Sequence, residues 1–118
     1  MQLSEIKTMM AQTEMPSTYY QWPEREAPAL PYTVWYIQGS ANLDADNRVY
    51  QPIGELNIEL YTSQKDFSAE DKVEAVLDSW EIPWEKTETY IKSERMYQVL
   101  YQAQIVITPE TPEEPSES

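Results

Sequence analysis

The chain contains no cysteine and no histidine, and only two of its 118 residues are glycine. The first absence removes disulfides, thiolate nucleophiles and zinc sites built on sulfur ligands. The second removes the imidazole on which Ser–His–Asp arrangements depend. Few small enzymes work without both, so the composition speaks against catalysis. With glycine only at 39 and 54, no glycine-rich loop can cradle a phosphate. Cations are scarce too: eight Lys and Arg stand against 21 Asp and Glu, a formal net charge of −13. So few basic groups cannot replace counterions over a broad nucleic-acid surface. No run approaches the ~18 apolar residues of a membrane-spanning helix, and Met1–Gln12 lacks the apolar stretch of a signal peptide. These absences predict a chain made and kept in a cytoplasm, with no cofactor, no specific nucleic-acid binding and no membrane partner.

What is present is aromatic and patterned. Hydrophobic residues make up 41% of the chain, nine of them tyrosine and four tryptophan, which is enough for a real core. A chain of this length forms one domain and buries about two-thirds of its unfolded surface. Residues 1–108 are expected to form that domain. From Thr108 onward the chain reads TPETPEEPSES, which has no aliphatic or aromatic side chain and no positive charge, and residues 109–118 are set apart from the domain. Such a segment cannot bury enough to offset its ordering entropy and is predicted to be a disordered acidic tail.

Two periodicities organise the domain. Leu56, Ile58 and Leu60 alternate with Asn57, Glu59 and Tyr61, as in a half-buried strand. Tyr97, Val99, Tyr101, Ala103, Ile105 and Ile107 repeat that alternation in the longest predicted strand, Met96 to Thr108. Between them Val73, Val76, Leu77 and Trp80 fall on one stripe of a helix over Ala69–Trp80, with Ser68 as its cap. Glu70, Asp71, Lys72, Glu74 and Asp78 are assigned to its solvent side. Tyr32–Ile37 and Trp84–Ile91 read as further strands, with KSER as a turn, and Ser4–Gln12 as a short helix that Pro16 stops. Pro52 and Gly54 predict a bulge or bend near Ile53. The outer face of the last strand carries Met96, Leu100 and Val106, so a second cover is expected, from the N-terminal helix or from another subunit. Together these elements predict an α+β fold: a mostly antiparallel sheet of about four strands with an amphipathic helix across one face.

Several strings carry a resemblance. ADNRVYQPI, the LNIELYT strand with its KDF turn, and SERMYQVLY resemble small tail proteins of long-tailed phages and prophages of Gram-positive bacteria. Weaker likeness extends to LPYTVWY and SEIKTMM. The resemblance points to the tail-completion and head–tail joining proteins, and most closely to the tail terminator that caps the tail tube. It implies a mixed α/β domain assembling as a hexameric ring. The partners implied are further copies of the chain, the major tail tube protein and a neck or stopper protein. The implied location is the virion, assembled in the bacterial host cytoplasm. A stopper or other head-completion role is the nearest alternative, and a small acidic binding or inhibitory module is the alternative of another class.

Two segments are candidates for contact. The loop Gln38, Gly39, Ser40, Ala41, Asn42, Leu43, Asp44, Ala45, Asp46, Asn47 and Arg48 is polar and longer than the about two to five residues usual in a hairpin. Long loops in compact domains tend to carry function. Asp44, Asp46 and Asn47 resemble part of a calcium loop but lack its glycine and terminal glutamate, so no metal is assigned. Upstream, Tyr19, Tyr20 and Trp22 lie in a proline-rich connection without periodicity. They are expected to pack on the body or on a neighbouring subunit. Glu85, Glu88 and Glu94 could suggest paired acids, but Glu85 and Glu88 fall on opposite strand faces and are assigned to solvent.

Overall fold

The computed structural model describes residues 1–23, 25–38 and 53–107. Helix α1 (Leu3–Ala11) leads into a short strand β1 (Ser17–Tyr19), then β2 (Tyr32–Gln38) and β3 (Ile53–Thr62). Helix α2 (Phe67–Ser79), β4 (Glu85–Ile91), a 3₁₀ turn at Lys92–Glu94 and β5 (Met96–Val106) follow. The strands form one five-stranded sheet in the order β1-β2-β3-β5-β4. Strand β1 runs parallel to β2, and every other neighbour is antiparallel. The fold is α+β with a mostly antiparallel sheet, as the patterning predicts. The fifth strand, β1, lies in the proline-rich connection and is too short to show an alternation. Thr33 N–H donates to the Pro16 carbonyl and Tyr20 N–H to that of Trp35, each at 2.9 Å, and these bonds hold it in place. The Leu30–Pro31 peptide bond leading into β2 is cis.

Both helices lie on the same face of the sheet. Ile6, Met9 and Met10 of α1 join Val73, Val76 and Leu77 of α2 in one buried cluster. The sheet's contribution comes from Trp35, Leu56, Ile58, Leu60, Val99 and Tyr101. Register explains why these meet: Ile58 pairs with both Trp35 and Tyr101, and Leu60 with Val99, so all point to one side. The expectation that α1 covers the second face of β5 therefore needs correction, and of the two covers expected only another subunit is left open. Alpha-helix α1 shares the layer of α2, and the outer side of β5 stays partly open, with Leu100 half-buried and Val106 exposed.

Local details differ from the sequence expectations in physically instructive ways. The cap of α2 is Asp66, whose carboxylate accepts from Ala69 N–H at 3.0 Å; Ser68 lies inside the first turn. Asp66 reaches the same orphan donor from an extended backbone, so the helix starts a residue pair earlier. Trp80 is the C-terminal cap, half-buried at the edge of the core, and donates its indole N–H to Gln12. Among the described residues no bulge forms from Ile53 onward: the pairing with β5 runs unbroken from Ile53–Val106 to Thr62–Tyr97. Gly54 serves close packing instead. A Cβ there would sit 2.8 Å from Ile37 Cγ2 and 3.0 Å from Ile107 Cγ1. Gly54→Ala is accordingly expected to destabilise the chain by about 1–3 kcal/mol, as overpacked core sites do. A denaturant midpoint at or above that of the parent would show that the two isoleucines yield freely.

The shortage of glycine leaves a mark on the backbone. Glu14, Tyr20, Arg25, Glu81 and Arg95 all adopt positive φ, a region that glycine occupies without steric penalty. Glu81 is the clearest case. Its N–H donates to Asp78 and that of Ile82 to Leu77, the paired bonds of a Schellman stop, with φ of 58° where glycine is usual. Replacing Glu81 by glycine should raise stability by about 0.5–1 kcal/mol. A fall in the unfolding midpoint would mean that the glutamate makes a compensating contact.

Candidate functional site

The sheet face opposite the helices is where the unassigned chemistry collects. On β2 the outward positions hold Tyr32, Val34 and Tyr36, and on β3 they hold Asn57, Glu59 and Tyr61. Glu59 is the hub. It accepts from Tyr36 O–H at 2.9 Å and from Tyr61 O–H at 2.6 Å, while Gln98 Nε2 donates to the Tyr61 oxygen at 3.0 Å. Asn57, almost fully buried, extends the network by donating to Gln38 Oε1 at 3.3 Å and accepting from Gln102 Nε2 at 3.2 Å. Networks of this kind fix each side chain's direction because every member depends on its neighbours.

The proline-rich connection folds over one side of this face. Gln21 N–H donates to the Tyr19 carbonyl at 2.9 Å across Tyr20, whose φ is 73°, a strained γ-turn. The turn ends β1 and lays Tyr20 parallel to Tyr36, with ring centroids 6.0 Å apart and planes inclined by 13°. Trp22 meets Tyr32 edge-on at 5.7 Å, and Tyr32 leans on Tyr61 at 5.5 Å. The three aromatic contact candidates thus divide. Tyr20 and Trp22 lie on the open face, whereas Tyr19 turns to the helix side and packs at 4.7 Å against Trp35. All three pack within their own chain, with Tyr19 and Tyr20 still exposed. Between the rings runs an open groove of about 340 Å³, bounded by Glu59, Ile91, Glu94 and Met96.

A second polar cluster lies on the helix side and was missed by the sequence patterning. The helical period puts Glu70 on the solvent side, yet it is only 2% exposed. It pairs with Lys65 and Lys86, each at 2.8 Å; Lys86 also reaches Glu74 at 2.7 Å and Lys65 reaches Glu88 at 3.0 Å. Tyr101 O–H donates to Glu74 at 2.7 Å, and Tyr97 O–H donates to Glu88. Although Lys and Glu in proximity resemble catalytic furniture, the electrostatics point elsewhere. Bonds to Glu70 raise the pKa of both lysines, so both stay protonated and neither is a nucleophile. The bond from Tyr97, followed by that to Lys65, lowers the carboxyl of Glu88. This cluster ties α2 to β4 and β5. Among the described residues, no group of three or more potential ligands could hold a metal ion.

Tyrosines on both faces titrate late. Burial first, then the bond to Glu59, pushes Tyr36 up to about 12 and raises Tyr61 as well. Burial followed by the bond to Glu74 raises Tyr101; burial followed by Glu94 raises Tyr32. A raised folded pKa contributes stability that is complete below the unfolded value of about 10 and is lost as pH rises through the folded value. Tyrosinate absorbance should therefore show a late fraction that ionises only together with unfolding, on the alkaline side of about pH 10. Ionisation of every tyrosine near pH 10 with an intact circular dichroism spectrum would contradict these environments.

The sequence candidates map unevenly onto this geometry. Of the loop Gln38–Arg48 only Gln38 lies within the described residues, exposed at the end of β2; the rest, with the calcium-like Asp44, Asp46 and Asn47, and the tail 109–118, lie outside them. Glu85 and Glu88 do occupy opposite faces of β4, and Glu94 lines the groove. Tyr36, Glu59 and Tyr61 were passed over as sites, although tyrosine and glutamate at outward strand positions were a readable signal. No protein-family model and no curated protein sequence matches this chain.

Proposed function

We propose that the chain is a structural subunit of a phage or prophage tail, most closely the tail terminator that caps the tail tube and joins it to the head. The observation that carries this is the open sheet face. Among the described residues, no helix covers one side of β2, β3 and β5, and that side is lined with tyrosine, tryptophan, carboxamides and carboxylates. Tyrosine and tryptophan are enriched where proteins meet, because each offers a large apolar area with a polar tip. The short strings shared with tail proteins support the same reading, as does an α+β fold of the kind they imply.

In this role the open face meets a neighbouring copy by a head-to-tail contact, and repetition closes a ring, hexameric by the resemblance. The tail tube protein and a neck or stopper protein are the partners above and below. The net charge of −13 suits a channel through which DNA slides without sticking. A stopper role uses the same surface and differs only in position along the neck. Deleting the gene from its prophage is the test. Tails of irregular length that fail to join heads, restored by the intact gene in trans, are the expected result. Normal, head-joined tails without the gene would reject the proposal.

A further inference from the structure

The groove on the open face is acidic and aromatic and, among the described residues, without a cation of its own. Glu59 lies half-buried on its floor, and both of its oxygens accept from tyrosine hydroxyls. Those donors are neutral and bring no positive charge to the carboxyl group. Each oxygen retains a second lone pair. Glu94 adds a second negative charge at the rim. Among the described residues, the ion pairs involve Glu70, Glu74 and Glu88, and none reaches Glu59 or Glu94. Among the described residues, no Lys or Arg lines the groove.

The contrast with the helix side is informative. There, Glu70, Glu74 and Glu88 each have a lysine within 3.0 Å. On the open face the chain instead surrounds its half-buried carboxylate with rings: Trp22, Tyr32 and Tyr61 in successive contact, and Tyr20 at the flank. Ring faces attract cations through their quadrupole, and a carboxylate at the floor adds Coulombic attraction and directed acceptors. Those two features together fit a planar guanidinium, which stacks on aromatic faces and bonds a carboxylate through its fork of N–H donors. An ammonium, as a compact hydrated point charge, uses the rings less well.

We propose that this groove is the docking site for an arginine side chain presented by a partner protein, with Glu59 as the acceptor and Tyr20, Trp22 and Tyr32 as the aromatic walls. The proposal rests on the open face being a protein-binding surface, and not on where in a tail the protein sits. Charge complementarity selects the occupant: a groove with two carboxylates and, among the described residues, no cation, on a chain of net charge −13, favours a basic segment over an acidic or neutral one.

The test uses the isolated full chain and the probe acetyl-Gly-Arg-Gly-amide, with its citrulline counterpart as the neutral isostere. Titration is followed by amide and indole N–H chemical shifts. Saturable shifts confined to Tyr20–Trp22, Tyr32 and Met96 are expected with the arginine peptide, and binding about tenfold weaker with citrulline. Glu59→Gln should weaken the arginine peptide by a similar factor while its spectrum stays folded. If that variant fails to fold, the citrulline comparison on the parent chain decides alone. No saturable shift, or equal affinity for both peptides, or undiminished binding by a folded Glu59→Gln chain, would overturn the proposal. Ring formation is measured separately, so arginine binding by a chain that never oligomerises would keep the groove and reject the tail reading.

Discussion

Replacing Leu77 by alanine is expected to destabilise the folded chain by about 2–5 kcal/mol. The side chain is 1% exposed and lies on the stripe of α2 that faces the sheet. It also stands where the helix ends: its carbonyl accepts from Ile82 N–H at 3.0 Å, and Ile82 packs into the same core. Truncation would open a cavity between helix and sheet and loosen the apolar contact that accompanies the helix stop. Since domains are stable by only about 5–15 kcal/mol in total, the shift in a urea or guanidinium melt should be large. A change below about 0.5 kcal/mol would mean that this face of α2 is not packed as described.

The second large effect concerns Glu70. Converting both Lys65 and Lys86 to methionine should destabilise by about 3–5 kcal/mol, towards the lower end because each lysine is itself about 30% exposed. The double change leaves a carboxylate that is 2% exposed without either lysine, while methionine preserves most of the apolar stem and gives up only the charged head, including the Lys65 ammonium over the Phe67 and Tyr97 rings. The position of Glu70 in the first turn of α2 offsets part of this through the helix dipole. Either single change should cost much less, since the other lysine remains at 2.8 Å. The two effects should therefore be markedly more than additive. Additive single and double values in a thermodynamic cycle would show that Glu70 is solvated rather than dependent on the pair.

These two cases also show where the sequence was legible. The Val73, Val76, Leu77 stripe and the Leu56, Ile58, Leu60 alternation are statements about period, and burial follows period closely because one face must leave water. Glu70 breaks that link. By period it lies beside the stripe rather than in it, and only the tertiary approach of Lys65 and Lys86 allows a carboxylate to be buried there. No local pattern carries that information. Strand β1 was hidden for a different reason, being three residues held by bonds to residues far along the chain. The γ-turn at Tyr20 was equally unreadable, because a bulky aromatic is a poor signal for positive φ. The candidate site fell between these extremes. Tyr20 and Trp22 were legible as aromatics with no role in a periodic core, and the structure places both on the open face. Glu59 was legible as an outward strand residue, but its two tyrosine donors depend on the β2–β3 register that sets them side by side.

The most direct test of the central claim, that the open sheet face is an assembly surface, is the solution mass of the full chain by light scattering. The measurement compares the parent with Tyr36→Asp over a wide concentration range. The parent is expected to form a closed oligomer, six subunits by the resemblance, seen as rings in negative stain. Tyr36→Asp, which places a charge beside Glu59 at a half-buried position of that face, should remain folded and monomeric. A parent chain that stays monomeric at every concentration, or an oligomer that Tyr36→Asp leaves unchanged, would contradict the claim.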